Sequence, residues 1–196
     1  MEIEIKRLTV ELLNDWLHFF DHIGFSDNAH WSGCYCMCYH WDKQLIEQFD
    51  WNTEIKKGIN SNNRENAIKL IKNNVIKGYL AYNKGGVVGW CNTNDKKTYK
   101  PVSGDLPSDE SEKDEKIKAI VCFSIAPELR NKGIASLLLN QICSEALADG
   151  YEYIEAYPFS KEGYINYHGP LNMYLKNGFS TYGENEPCII VRKYLK

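Results

Sequence analysis

Two stretches of this chain have residue types and spacings that could do chemistry. The first is WSGCYCMCYH, Trp31 to His40, in which three cysteines alternate with other residues and a histidine closes the run. His30 precedes it. Three readings stand side by side. Free cysteine packs like a small apolar residue, so with the tyrosines and tryptophans the stretch could wall a pocket for an amphipathic or aromatic ligand. Thiolates select soft ions such as zinc and copper(I), and His30 and His40 could complete a site. The spacing is Cys-x-Cys-x-Cys, however, not the Cys-x2-Cys common in zinc sites, and no second cysteine pair follows. The third reading is a reactive or redox thiol, for which no fixed neighbouring cation is evident.

The second stretch is SIAPELRNKGIASLLL. A strand pattern ends at Ala126-Pro127, and Lys132-Gly133 opens a helix pattern five residues later. The free N–H groups at a helix N-terminus bind anions. Gly133 lets the backbone approach a phosphate, Asn131 tolerates the left-handed conformation, and Ala135 is small. Arg130 and Lys132 add positive charge. The physical reading is a pyrophosphate cradle at the carboxyl end of a strand. An ordinary strand–loop–helix with surface basic residues has the same local pattern.

These stretches need a scaffold. The 196 residues suffice for one α/β domain, and 43% hydrophobic and 25% charged content is that of a globular protein. The net charge of -3 does not favour nucleic acid or an anionic membrane as partner. The N-terminus lacks the apolar core of a signal peptide, and no apolar run is long enough to cross a membrane. A cytoplasmic location with reduced thiols is therefore expected, and the seven cysteines read as free thiols.

Glu2 to Ile5 alternates like a strand. Thr9 reads as an N-cap for a helix with Leu12, Leu13, Trp16, Phe19 and Phe20 on its apolar face. Ser61 could cap a second helix carrying Ala67, Ile68, Ile71 and Val75. KGYLAYNKGGVVGWCNTND reads as a hairpin turning at Asn83 to Gly86. Residues 101–116 are acidic and polar, an inserted loop that either steers a cationic amine or is only solvated. IKAIVCFSIAP reads as a strand buried on both faces. A helix from Ile134 to Ala148 follows, ended by Gly150. YEYIEAYP is a strand, Leu171 to Lys176 a short helix stopped by Asn177-Gly178, and PCIIVRKYLK a last strand. This order makes residues 1–196 one mixed α/β domain with a central strand–helix–strand crossover.

The sequence resembles the GNAT superfamily of acyl-CoA N-acyltransferases. That family's phosphate loop reads Arg/Gln-x-x-Gly-x-Gly/Ala, and here Arg130-Asn131-Lys132-Gly133-Ile134-Ala135 matches it, with Pro127 three residues ahead. Asn131 stands where glycine is most frequent. Tyr174-Leu175-Lys176-Asn177-Gly178-Phe179 matches the later signature of a helical tyrosine followed by Gly-Phe. The segment between YEYIEAYP and that helix is longer than usual.

The resemblance implies a mostly antiparallel sheet flanked by helices, and an acetyl-CoA-dependent N-acetyltransferase acting on a small-molecule amine by direct attack on the thioester. Residues 130 to 135 would hold the coenzyme pyrophosphate, with Ser136 joining through its hydroxyl. The strand around Phe123, Ser124 and Ile125 would splay from its neighbour and pair with the pantetheine arm, an N–H near Ile125 polarising the thioester carbonyl. Tyr174 would protonate the departing thiolate. Glu155 is the first candidate for the general base and His168 the second. No metal is expected as cofactor, and a homodimer through the C-terminal strands is plausible. The region after the first helix would form one wall of the acceptor pocket, which places WSGCYCMCYH beside the substrate. A protein or peptide acceptor is a third option, and a thiol-rich soft-metal-binding or sensor protein on the same scaffold is the rival from another class.

Overall fold

A computed structural model of the chain describes residues 1–41, 43–100, 115–160 and 166–196. The acidic stretch over 101–114 lies outside the described residues, as do residues 161–165.

One sheet holds strands β1 (Ile3–Arg7), β2 (Gly78–Asn83), β3 (Gly86–Asp95), β4 (Ile117–Ile125), β5 (Tyr153–Ala156), β6 (Ser180–Asn185) and β7 (Cys188–Tyr194). Their order is β1-β2-β3-β4-β5-β7-β6. Every pairing is antiparallel except β4 with β5. A parallel pair needs a crossover. Helix α5 (Ile134–Ala148) supplies it. This is the expected mixed α/β fold with its central β4–α5–β5 unit.

The sheet is covered on both faces. On one face lie the apolar side of α5 (Leu138, Leu139, Ile142, Ala146) and Met173 and Tyr174 of α6 (Leu171–Lys176), packed with Tyr79, Ile120, Phe123 and Val191. On the other lie Trp16 and Phe20 with Tyr35, Met37, Trp41, Trp90, Val121 and Cys122. β4 is sandwiched between the two cores, so eight of its nine residues are buried, as an unbroken apolar run requires.

The local signals act largely as read. The Ser61 hydroxyl accepts the Arg64 N–H at 3.2 Å and caps α4 (Asn62–Lys72). Gly150 and Gly178 take φ of 83° each and end α5 and α6. In the β2–β3 hairpin the positive φ angles fall on Lys84 (51°) and Gly85 (81°), and Gly86 already belongs to β3. Thr9 does not cap: its hydroxyl hydrogen-bonds the Glu11 carboxylate. A 3-10 turn over Val10–Leu12 leads into α1 (Leu13–His18), and the chain then widens into a π turn over Phe19–Ile23. Two short helices were not expected, α2 (Lys43–Gln48) and α3 (Trp51–Lys57), the latter capped by Asp50 accepting the Asn52 N–H at 3.0 Å. β6 was also not expected. It is an exposed edge strand with no apolar alternation to announce it.

Candidate active site

The loop between β4 and α5 folds from local rules. After Ile125 the chain makes a 3-10 turn at Pro127–Leu129. Asn131 and Gly133 then take left-handed φ of 59° and 84°. Gly133 is the N-cap of α5, and no side chain caps that helix. The N–H groups of Ile134, Ala135 and Ser136 thus open the helix as unfilled donors toward an anion. A Cβ at Gly133 would meet nothing within 4 Å, so glycine is needed for its φ, and the space above the loop is open. Ile134 is buried, Ala135 and Ser136 are half-buried, and Asn131 and Lys132 are exposed.

Arg130 acts differently from the expectation of a free positive charge. Its Nε donates to the Ile125 carbonyl at 3.1 Å, and its guanidinium pairs with Asp27 and reaches the Gly24 carbonyl. The guanidinium holds the Asp27 carboxyl below its usual range. Arg130 braces the loop against the end of the first helical segment; it and Lys132 are both exposed, but Arg130 is already paired with Asp27.

Beside the loop, β4 loses its neighbour. It pairs with β5 only from Ile117 to Ile120, where Ala156 ends the ladder. From Val121 onward alternate backbone groups face an open edge. The Val121 carbonyl accepts the Tyr39 hydroxyl at 2.7 Å, and the Phe123 N–H donates to the Tyr167 carbonyl at 2.6 Å. Ile125 faces the same edge, whereas Ser124 pairs with Trp90 of β3 and its hydroxyl lies against Gly24. The splayed strand is therefore present, with residues of a distant segment resting on it.

Tyr174 on α6 is fully buried between Phe123 and Phe179, with ring centroids 6.5 and 5.2 Å away. Its hydroxyl donates to the His168 carbonyl at 2.5 Å. Burial pushes its pKa well above that of a free tyrosine, so it keeps its proton throughout the neutral range.

Glu155 is also fully buried, but its carboxylate is engaged on all sides. Arg192 of β7 donates to Oε2 through Nε (2.9 Å) and the terminal guanidinium nitrogen. Lys96 lies 2.8 Å from Oε1, and the Tyr157 hydroxyl donates to Oε1 at 2.6 Å. This carboxylate ties the end of β3 to β5 and β7. Two cations and a phenol occupy its oxygens. His168 is buried among Tyr157, Phe159 and Tyr167, the last ring 4.4 Å away.

The cysteine stretch packs against the same part of β4. Tyr35 and Cys36 both take left-handed φ, 43° and 54°. Such residues cost about 1–3 kcal/mol each and persist where surroundings over-determine them. Here Tyr35 stacks on Phe20 at 5.5 Å and donates its hydroxyl to Asp21 at 2.7 Å. The fold-back brings the thiols together. The Cys36 N–H donates to the Cys34 sulfur at 3.2 Å, and the Trp90 indole N–H donates to the Cys36 sulfur at 3.2 Å. The Cys36 thiol also meets Cys122 of β4. Trp31 packs on Tyr167 at 5.8 Å and on Trp51 at 6.4 Å, completing an aromatic wall. Among the described residues, no group of three or more His, Cys, Asp or Glu side chains is arranged to hold a metal ion.

Asp27, Trp90 and Tyr167 were missed as parts of this site, whereas Tyr39 belongs to the stretch expected to wall the pocket. Each of the three missed residues acts through a partner far away in sequence, and no local pattern marks them.

The Acetyltransferase (GNAT) domain family matches residues 76–181, over half of the chain, and the chain belongs to that family. It is an N-acetyltransferase, and acetyl-CoA is its co-substrate. Among solved structures, it is similar to the PaiA N-acetyltransferase of Thermoplasma acidophilum in complex with coenzyme A (TM-score 0.56, 16% identity, 99% of each chain covered). It is also similar to an N-acetyltransferase of Staphylococcus aureus Mu50 (TM-score 0.53, 16% identity, 100% of each chain). A GNAT-family acetyltransferase of Streptococcus pneumoniae matches at TM-score 0.54 and 12% identity over 100% of each chain. These likenesses show the fold. No curated protein matches the sequence. No described helix is long and apolar enough to cross a membrane.

Proposed function

We propose that the protein acetylates a small-molecule amine by direct attack of the neutral amine on the thioester of acetyl-CoA, with Tyr174 as proton donor to the leaving thiolate. The observation that supports this most is the continuity of the site. The open edge of β4 runs from Val121 to Ile125 straight into a left-handed loop and an uncapped helix N-terminus.

In this reading the N–H groups at the start of α5 and the Lys132 ammonium hold the pyrophosphate. The bound coenzyme supplies an activated acyl group as a thioester. The Ile125 N–H, on the open edge, is placed to polarise its carbonyl. The Phe123 N–H becomes available once Tyr167 moves off it. Tyr174 lies behind Phe123, and its raised pKa keeps its proton in place at neutral pH. Glu155 holds the sheet together here, and the amine loses its proton to solvent. The close-set aromatic wall of Trp31, Tyr167 and Tyr39 favours a compact, partly apolar amine over an extended peptide. A homodimer through the C-terminal strands belongs to the same proposal, because β6 leaves the sheet edge exposed with Tyr182 on it.

The test is turnover of acetyl-CoA by the reduced protein, with products read by mass spectrometry, across small primary amines and short peptides. Coenzyme A release that depends on a small amine supports the reading. Release that depends only on peptide amines overturns the acceptor class.

A further inference from the structure

We infer that His18 and His22 form a two-histidine site for a four-coordinate, zinc-like divalent cation on the surface of the first helical segment. The site is independent of the acetyl-transfer reading, because it needs only the fold of residues 16–23.

The run His18-Phe19-Phe20-Asp21-His22 spaces two histidines by four residues. Side chains at that spacing share one face of a helix, and helices that bind zinc through histidines at i and i+4 use the same spacing. His18 closes α1, and His22 lies in the π turn that follows it. Single π turns of this kind occur often at functional sites. Phe19 and Phe20, between the two, are 0% and 2% exposed and anchor the backbone in the core. Both histidines are exposed, and their ring centroids stand 5.2 Å apart.

That separation suits a tetrahedral ion. A zinc–nitrogen distance of about 2.0–2.1 Å puts the centroid of a ring pointing at the ion about 3.2 Å from it, so a tetrahedral angle separates two such centroids by about 5.2 Å. An angle of 90°, as on an octahedral ion, would bring them to about 4.5 Å. Imidazole also suits zinc, whereas magnesium and calcium take oxygen ligands.

Among the described residues, neither imidazole takes part in a hydrogen bond or an ion pair. The carboxylates of the same segment are engaged elsewhere. Asp15 accepts the Tyr82 hydroxyl at 2.8 Å, and Asp21 accepts the Tyr35 hydroxyl and pairs with Arg64 at 2.9 Å. Two protein nitrogens leave two positions of a tetrahedral ion to water or to a small-molecule donor. The site is therefore open, unlike a structural zinc site with four protein ligands.

The test uses zinc chloride and diethyl pyrocarbonate, a reagent that acylates the nitrogen lone pair a bound ion would occupy. Reduced wild-type protein is titrated with zinc in excess over its seven thiols, modified briefly, and read by peptide fragmentation at His18, His22 and His30. His30 is an exposed histidine outside the pair and serves as the internal control. At ten times the half-protecting zinc concentration, acylation of His18 and His22 should slow roughly tenfold with one shared half-point, and His30 should be unaffected. In His22→Gln, checked for native circular dichroism, the half-protecting concentration at His18 should rise roughly tenfold or more, because the second ligation is intramolecular in the wild type. Absence of protection, separate half-points for the two histidines, equal protection of His30, or an unchanged half-point at His18 in the variant would overturn the inference. The wild-type titration decides the matter even if the variant fails to fold.

Discussion

Replacing Glu155 with glutamine separates two roles that one carboxylate could have. The substitution keeps the shape of the side chain and removes its charge. Arg192 and Lys96 are then left facing a neutral amide, with side-chain exposures of 6% and 16%. Breaking a buried ion pair by removing one partner costs up to about 3–5 kcal/mol, and the remaining pair of Arg192 with Glu115 at 3.0 Å offsets part of that cost. For a domain of this size that corresponds to a fall in Tm of roughly 6–20 °C. The same geometry predicts that the chemistry survives, since both Glu155 oxygens are already bound by Arg192, Lys96 and Tyr157. The assay is thermal unfolding by circular dichroism, paired with steady-state kinetics well below the lowered Tm. The expected outcome is a large loss of Tm with kcat reduced by less than about threefold, far short of the 10²–10⁴ contributed by a general base. An unchanged Tm with kcat down by about a hundredfold or more would refute the reasoning and return Glu155 to the catalytic machinery.

Tyr174→Phe removes the proposed proton donor and one buried hydrogen bond, so kcat should fall about a hundredfold with little change in the KM for acetyl-CoA, and stability should drop by about 1 kcal/mol. Lys132→Ala should raise the Kd for coenzyme A several-fold, and the loss should shrink at high salt, as titration calorimetry at two ionic strengths would show. Gly133→Ala forces a side chain into φ of 84° and should cost about 1–2 kcal/mol in chemical denaturation. His40 has its pKa pushed down to about 4, first by burial and then by Lys100. Its unfolded form binds the proton first, so stability is complete above about pH 6.5 and declines by about 3 kcal/mol as pH falls toward 4. His40→Gln should flatten the pH–stability curve in that window.

The phosphate loop was legible because everything that shapes it is local. Pro127, Asn131 and Gly133 set the turn and its left-handed angles, and α5 starts at the next residue. The caps at Ser61 and the glycine stops at Gly150 and Gly178 are local in the same sense. Glu155 illustrates the opposite case. Alternation along a strand left its face open, and only the arrival of Lys96 and Arg192, 59 and 37 residues away in sequence, makes a buried cluster of it. The cysteine stretch is similar. Its composition was conspicuous, but its thiol contacts depend on two left-handed residues held by Phe20 and Asp21, and on Trp90 and Cys122 from the sheet.

The sequence by itself determined the family, the element order around β4 and α5, and the position of the phosphate cradle, because turn chemistry and helix starts are decided within a few residues. The tertiary structure alone decided which polar groups are available. It placed Tyr167 on the Phe123 N–H, Asp27 on Arg130 and two cations on Glu155. Hydrogen bonds and ion pairs are short-ranged, and in a folded chain the partner that satisfies a group is set by the packing of whole elements, which no spacing along the chain encodes.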